Sequence, residues 1–191
     1  FDISEISLYR IEKELTEDNK QFPIYAILGN VTNEKRLSGI LSRNRVDTIY
    51  HTAAYKQVPL VEKNTIAGIR CNIFGTLSCI NSAIENDVKS FVFISTDKAV
   101  RPTNIMGATK RFAELILQAK AQERISDKKT KTRISMVRFG NVLGSSGSVV
   151  PLFTEQIEKG GPLTVTDPNI IRYFMTLKEA SQLVIQAGSM G

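Results

Sequence analysis

Two rhythms of apolar residues alternate along this chain. Short runs rich in β-branched and aromatic residues read as buried strands: "PIYAIL" (Pro23 to Leu28), "VDTIYHTA" (Val46 to Ala53), Phe91 to Thr96, and Thr132 to Gly140. Between them, apolar positions recur every three or four residues. Ile6, Tyr9 and Leu15 share one face of a helix for which Ser4 is the expected N-cap. "NEKRLSGILSRNR" starts a helix near Asn33. Ile66, Ile69, Ile73, Leu77, Ile80 and Ile84 mark a long helix, and a further one runs from near Asn104 to Arg124. Strand and helix alternating in this way predict an α/β fold, a Rossmann-like doubly wound parallel sheet covered on both faces.

In such sheets ligands gather at the carboxyl ends of the strands. Gly29-Asn30-Val31, Ala53-Ala54-Tyr55-Lys56, Thr96-Asp97-Lys98 and Gly140-Asn141-Val142 each follow a predicted strand, so all four fall on one edge. An acid beside an amine, Asp97-Lys98, is followed at helical spacing by Met106 and Lys110, one turn apart on the same face. After Gly144 the character changes. "GSSGSVV" reads as a loop, "PLFTEQIEKGG" as a short helix stopped by glycine, and "PLTVTDP" as a short strand and turn. We therefore expect a dinucleotide-binding domain over 1–143 and a partial substrate-binding lobe over 144–191.

Asp2 stands where the second strand of a dinucleotide fold would end, the place of an acid that bonds the adenosine ribose; as the bland alternative it caps the helix that follows. The glycine-rich turn that normally lies about 20 residues earlier has no counterpart here, since Gly140, Gly144 and Gly147 follow a late strand. The reading is a fragment that starts after the first strand and helix, with a small lobe that is incomplete as well.

Composition narrows the classes. Hydrophobic residues make up 42% of the 191 and charged ones 23%, which suits an ordinary globular domain. The net charge of +6 is concentrated in "KKTKTR" (Lys128 to Arg133), a solvated loop between helix and strand, so no nucleic-acid partner is expected. Cys71 and Cys79 form no C-x-x-C, there is no signal segment, and no apolar run approaches the roughly 18 residues of a membrane span. A cytoplasmic location follows as the expectation. No His/Cys cluster or paired carboxylates with ligand spacing are present, so no metal is expected, and His51, the single histidine, reads as structural.

Longer strings carry a resemblance. "HTAAYKQVPLVE" (His51 to Glu62), "NIFGT" (Asn72 to Thr76), "STDKAVRPTNIMGATKR" (Ser95 to Arg111), "RFGNVLGSSGSVVPLF" (Arg138 to Phe153), "GGPLTVTDP" and "RYFMT" together resemble the extended short-chain dehydrogenase/reductases. More closely, they are similar to the CapD-type polysaccharide-biosynthesis nucleotide-sugar 4,6-dehydratases. The resemblance implies a UDP-N-acetylglucosamine-type substrate, NAD or NADP as cofactor, a 4-keto-6-deoxy sugar product and a homo-oligomer, with membrane attachment only through segments upstream of this chain. It implies oxidation at C4, loss of water across C5 and C6, and return of the hydride to C6. Lys98 would be the base at C5, Asp97 the acid at the C6 hydroxyl, and Thr96 a hydrogen-bond partner of the C4 oxygen. Lys110 would bond the nicotinamide ribose, beside a cofactor set of Asp2, Asn30, Val31, Ala53, Ala54 and Tyr55. Asn141 and Arg172 are the candidates for the phosphates and uracil, with Lys56, Ser148 and Val149 completing the substrate-binding set.

One position departs from the wider superfamily. Its Tyr-x-x-x-Lys is here Met106 to Lys110, so residue 106 has no proton to give; the resembling dehydratases share this methionine. Asp97, Lys110 through a water, and Thr96 all remain candidates for taking the C4 hydroxyl proton. Gln57 and Asp167 stand where histidine is expected or common. The elimination needs a neutral lysine and a protonated aspartate. Lowering a lysine from about 10.4 to about 7 takes about 4.6 kcal/mol, and burial supplies shifts of about 3–5 pH units. Two rival readings are a sugar epimerase, which needs no acid/base pair for C5 and C6, and a non-catalytic nucleotide-sugar or NAD sensor.

Overall fold

The computed structural model describes residues 1–18, 21–127, 131–145, 147–165 and 167–190. Its centre is a three-stranded parallel sheet in the order β1 (Thr48–His51), β2 (Ser90–Thr96), β3 (Arg133–Phe139). The register runs from Thr48 opposite Ser90 to Thr96 opposite Phe139, so all three carboxyl ends point to one edge. β2 lies in the middle, which explains why Ser90 to Phe93 are almost wholly buried.

Helices cover both faces. On one lie α2 (Glu34–Asn44), α5 (Gly75–Glu85) and α6 (Ile105–Asp127), enclosing a core of Leu37, Leu41, Ile80, Ala83, Phe91, Phe93, Ala113 and Leu117. On the other face α8 (Leu177–Met190) packs against β2 and β3. It comes so close that a Cβ on Gly188 would stand 3.0 Å from the Tyr50 hydroxyl and 3.3 Å from Val92. α1 (Glu5–Asp18) leaves Ile6 and Tyr9 exposed. Ser4 caps it as expected, its Oγ accepting the Ser7 N–H at 3.2 Å.

Several elements differ from the sequence reading. The run Pro23 to Leu28 is no ladder strand: one parallel bridge joins Asp2 to Leu28, and no ladder connects that pair to the central sheet. An extended apolar segment becomes a strand only when a neighbour presents its backbone groups along its length. The long helix predicted from Ile66 to Ile84 is broken into α4 (Thr65–Ile69), a π turn (Arg70–Phe74) and α5, because the Gly75 N–H reaches back five residues to the Arg70 carbonyl. A short α3 (Val58–Lys63) precedes it. "PLTVTDP" forms no strand among its described residues. The second sheet instead pairs β4 (Asn141–Val142) with β5 (Phe174–Met175), and α7 (Val149–Glu158) lies between them in sequence. No helix among the described residues is long and apolar enough to cross a membrane.

Candidate active site

The carboxyl end of β2 turns sharply. Asp97–Ala99 form one 3₁₀ turn, capped by Thr96, whose Oγ1 accepts the Lys98 N–H at 3.3 Å and donates its own proton to Asp97 Oδ1 at 2.9 Å. The same carboxylate oxygen receives Lys98 Nζ at 3.1 Å. Lys98 Nζ also donates to Asn141 Oδ1 at 3.3 Å, and Asn141 is held by its N–H on the Tyr173 carbonyl. Thr96, Asp97, Lys98 and Asn141, drawn from two strand ends, thus form one cluster. Burial alone would raise the Asp97 carboxyl, but the hydrogen bonds from Lys98 and Thr96 and the nearby ammonium outweigh it, and the group lies below its usual range. The mutual attraction of the two groups as an ion pair thus opposes the neutral lysine and protonated aspartate that the expected elimination calls for.

α6 begins beside this turn. Asn104 caps it through the Gly107 N–H at 2.8 Å, and Glu62 reaches over from α3 to accept the Ile105 N–H at 2.7 Å. Met106 is buried, and so is Lys110, 7% exposed. Lys110 Nζ donates to the Ile94 carbonyl at 2.9 Å and lies 4.6 Å from the centre of the Phe93 ring. Burial pushes its ammonium down to about 8, while Cys71 and Glu114 pull the other way.

On the same edge of the sheet, a cleft of about 1020 Å³ opens beyond the carboxyl end of β1. Asp2, Gly29, Asn30, Val31, Ala53, Ala54 and Tyr55 line it, so every residue assigned to the cofactor other than Lys110 stands on one cavity wall. Asp2 faces the cleft, and its Oδ1 accepts the Ser4 N–H at 2.7 Å just ahead of α1. Asn30 Oδ1 is spent on the Thr32 N–H and hydroxyl, which fixes the turn. Val31 is mostly core, pressed so close to Gly75 that a Cβ there would meet its Cγ1 at 2.6 Å.

The residues given to the substrate are not gathered in one cavity. Lys56 lines a separate hollow of about 440 Å³ with Gln57, Leu60 and Val61. Ser148 starts α7, and Val149 is 38% exposed. The loop before Ser148 is tied to Gln57, whose Nε2 donates to the Gly147 carbonyl at 3.1 Å. Arg172 is exposed and donates to the neighbouring Ile171 carbonyl at 3.3 Å, not to any group of the cluster.

Two buried residues that hold the site together had no role in the sequence reading. Asn72, in the π turn, accepts the Tyr55 N–H at 2.8 Å and donates to the Tyr55 carbonyl at 3.1 Å and to Thr109 at 2.9 Å. It pairs the cleft loop to α6 as a strand would. Its presence inside "NIFGT", an amide in an otherwise apolar helical face, was the available signal. Glu114 is the other. It lies one turn beyond Lys110, a spacing visible in the sequence, and accepts from Ser95, Arg111 and Arg138. His51 is structural in its contacts. The Thr76 hydroxyl donates to the Asn72 carbonyl, so His51 Nε2 must donate to Thr76 at 3.0 Å, and the ring lies between Phe91 and Phe93. Burial, helped by Lys110, lowers it to about 3. Among the described residues no group of three His, Cys, Asp or Glu side chains is placed to hold a metal ion.

Comparison with known proteins decides the family. Residues 1–191 match the family described as polysaccharide biosynthesis protein. The chain belongs to that family. It is 48% identical to the capsular polysaccharide biosynthesis protein CapD of Staphylococcus aureus, over 97% of this chain and 30% of the relative. It is 37% identical to the UDP-glucose 4-epimerase of Rickettsia canadensis, over 100% of this chain and 55% of that protein. Among solved structures, Pen from Bacillus thuringiensis superposes with a TM-score of 0.91 at 37% identity, covering 100% of this chain and 57% of the other. The chain therefore spans about a third to little more than half of the relatives it matches. The Rossmann-like parallel fold expected from the sequence is the one observed.

Proposed function

We propose that this chain carries the cofactor cleft and the catalytic pair of a nucleotide-sugar 4,6-dehydratase that works with NAD or NADP. The substrate is UDP-N-acetylglucosamine or a close relative, and the product a 4-keto-6-deoxy sugar nucleotide for surface polysaccharide. The observation that carries this reading is the Asp97–Lys98 pair at the carboxyl end of β2, bonded at 3.1 Å, on the same sheet edge as the cleft that follows β1. The cleft wall suits a dinucleotide. It offers the Asp2 carboxylate to a ribose, small Ala53 and Ala54 for close approach, and the Tyr55 backbone held still by Asn72.

A nicotinamide ring, when bound, accepts and returns the hydride. The remaining chemistry belongs to the chain's own residues. Moving one proton along the Lys98–Asp97 bond turns the resting ion pair into neutral amine and carboxylic acid, with no change in total charge. Covering the pair, now partly open to solvent, with a sugar favours that neutral form, because desolvation penalises charges. Lys98 then takes the C5 proton and Asp97 gives its proton to the departing C6 hydroxyl. Thr96, a donor to Asp97, would hydrogen-bond the C4 oxygen, and Lys110 would bond the cofactor ribose. Met106 has no proton to exchange and fills space behind them.

A second reading, epimerisation at C4, draws on the likeness to the Rickettsia enzyme. Product mass separates the two. Incubated with UDP-N-acetylglucosamine, the full chain is expected to yield a product lighter by one water, and Lys98→Ala and Asp97→Asn to stop that loss while nucleotide-sugar binding persists. An isomer of unchanged mass would replace the first reading with the second. A Lys98→Ala protein with near-normal water loss would remove Lys98 from its role.

A further inference from the structure

Lys110 and Glu114 are four residues apart on α6, both buried, the lysine 7% exposed and the glutamate 1%. At that spacing opposite charges on one helix face lie roughly 5–6 Å apart between Cβ atoms and ordinarily pair. Here they do not. Lys110 Nζ goes to the Ile94 carbonyl and the face of Phe93. Glu114 is fully subscribed elsewhere: Oε1 accepts from the Ser95 hydroxyl at 2.6 Å and Arg138 Nε at 2.7 Å, Oε2 from Arg138 at 2.5 Å and Arg111 at 3.0 Å. A carboxylate has about four acceptor sites, and all four are taken, two of them by the fork of Arg138.

The partners come from three elements. Ser95 and Arg138 face each other in the β2–β3 register, next to Thr96, and Arg111 belongs to α6. Glu114 thus bolts α6 to the two strands immediately beneath the catalytic pair. The groups facing Lys110 from the other packed elements are neutral His51 on β1 and the Cys71 thiol in the π turn. Among the described residues no carboxylate pairs with Lys110.

We propose that Glu114 is a positioning residue whose capture by Arg111 and Arg138 withholds it from Lys110, so that Lys110 stays a buried amine without a counter-ion, poised to change its protonation beside the cofactor cleft. The assignment rests on the reading of Lys110 as a residue of the active site. It gives the two arginines a function that simple anchoring does not require: they deny the lysine a direct bond to the acid one turn away and leave only the weaker pull of that acid through space.

Opposite substitutions give opposite signs. The full chain labelled with ¹³C at lysine Cε is titrated by NMR, with Lys110→Met assigning the signal. Wild type is expected to titrate near 8. Arg138→Met, by freeing Glu114 and removing a positive charge, is expected to raise the midpoint by about one pH unit, a tenfold gain in proton affinity. Glu114→Gln is expected to lower it, and Arg138→Lys, which keeps the charge, to stay near wild type. Where Arg138→Met does not fold, Arg111→Met supplies the upward arm. Midpoints that do not move in folded variants, or that move in one direction for both substitutions, overturn the proposal. The titration reads the lysine itself. Opposite shifts in a protein that never releases water would keep this proposal and end the dehydratase reading, and unmoved midpoints in an active dehydratase would do the reverse.

Discussion

The Lys98 carbonyl oxygen lies 2.3 Å from the point where a Cβ on Gly107 would stand. α6 can therefore approach the 3₁₀ turn only because residue 107 has no side chain. Gly107→Ala must push the turn away from the helix, and with it the Asp97–Lys98 pair. Overpacking of this kind costs about 1–3 kcal/mol. Denaturant unfolding should show that loss, together with a turnover defect larger than the stability change explains. Unaltered stability and turnover would mean the turn has slack that the geometry does not suggest.

Asn72→Leu removes one amide and strands three groups: both backbone groups of Tyr55 and the Thr109 hydroxyl, although the latter still donates to the Met106 carbonyl. Each buried polar group left unpaired costs about 1–3 kcal/mol. Besides the stability loss, the affinity for NAD or NADP should fall, since the Tyr55 loop forms the cleft wall. Calorimetric titration checks it, and Asn72→Asp, which keeps the acceptor but loses the two donated bonds, should lie between.

Met106 offers the complementary case. It is 3% exposed, so truncation to alanine should cost about 2–5 kcal/mol. The volume-conserving Met106→Leu should cost less than about 1.5 kcal/mol and leave turnover near wild type. A rate loss beyond about a thousandfold in a folded Met106→Leu protein, equivalent to about 4 kcal/mol of barrier, would show that the thioether matters to the chemistry itself.

His51 sets an acid limit. Its imidazole is lowered to about 3 in the fold and returns to about 6.5 when unfolded. Between those values the unfolded chain binds a proton that the folded chain refuses, so stability falls as pH drops from about 6.5 towards about 3. The contribution is of the order of a few kcal/mol. His51→Gln keeps a donor for Thr76 but cannot titrate, and should flatten that part of the stability–pH curve. An identical slope in the variant would assign the acid sensitivity to other groups.

Legibility from the sequence varied with the range of the interactions. β2 and α6 were readable because their own residues suffice: "FVFI" is apolar on both faces, and α6 carries its cap and its period. Pro23 to Leu28 misled because strand character is shared between two segments and one of them contributes a single bridge. α8 was overlooked although Ala180, Val184 and Ala187 keep helical spacing. Asp97, Lys98 and Lys110 could be singled out from their order along the chain. That Lys98 turns to Asn141, and that Lys110 and Glu114 decline each other, depends on Arg138 and Tyr173, which lie far away in sequence.

The β4–β5 pairing has a consequence in time. Asn141 is anchored to the Tyr173 carbonyl across a loop of some thirty residues that contains α7. Closing such a loop costs chain entropy before two ladder residues repay any of it. Folding should thus complete β2, α6 and the Lys98–Asp97 bond first and bring Asn141 to rest last. In native-state hydrogen exchange the Asn141 and Leu143 amides should open well before those of β2, which would make Asn141 the member of the cluster most easily lost when the protein is stressed.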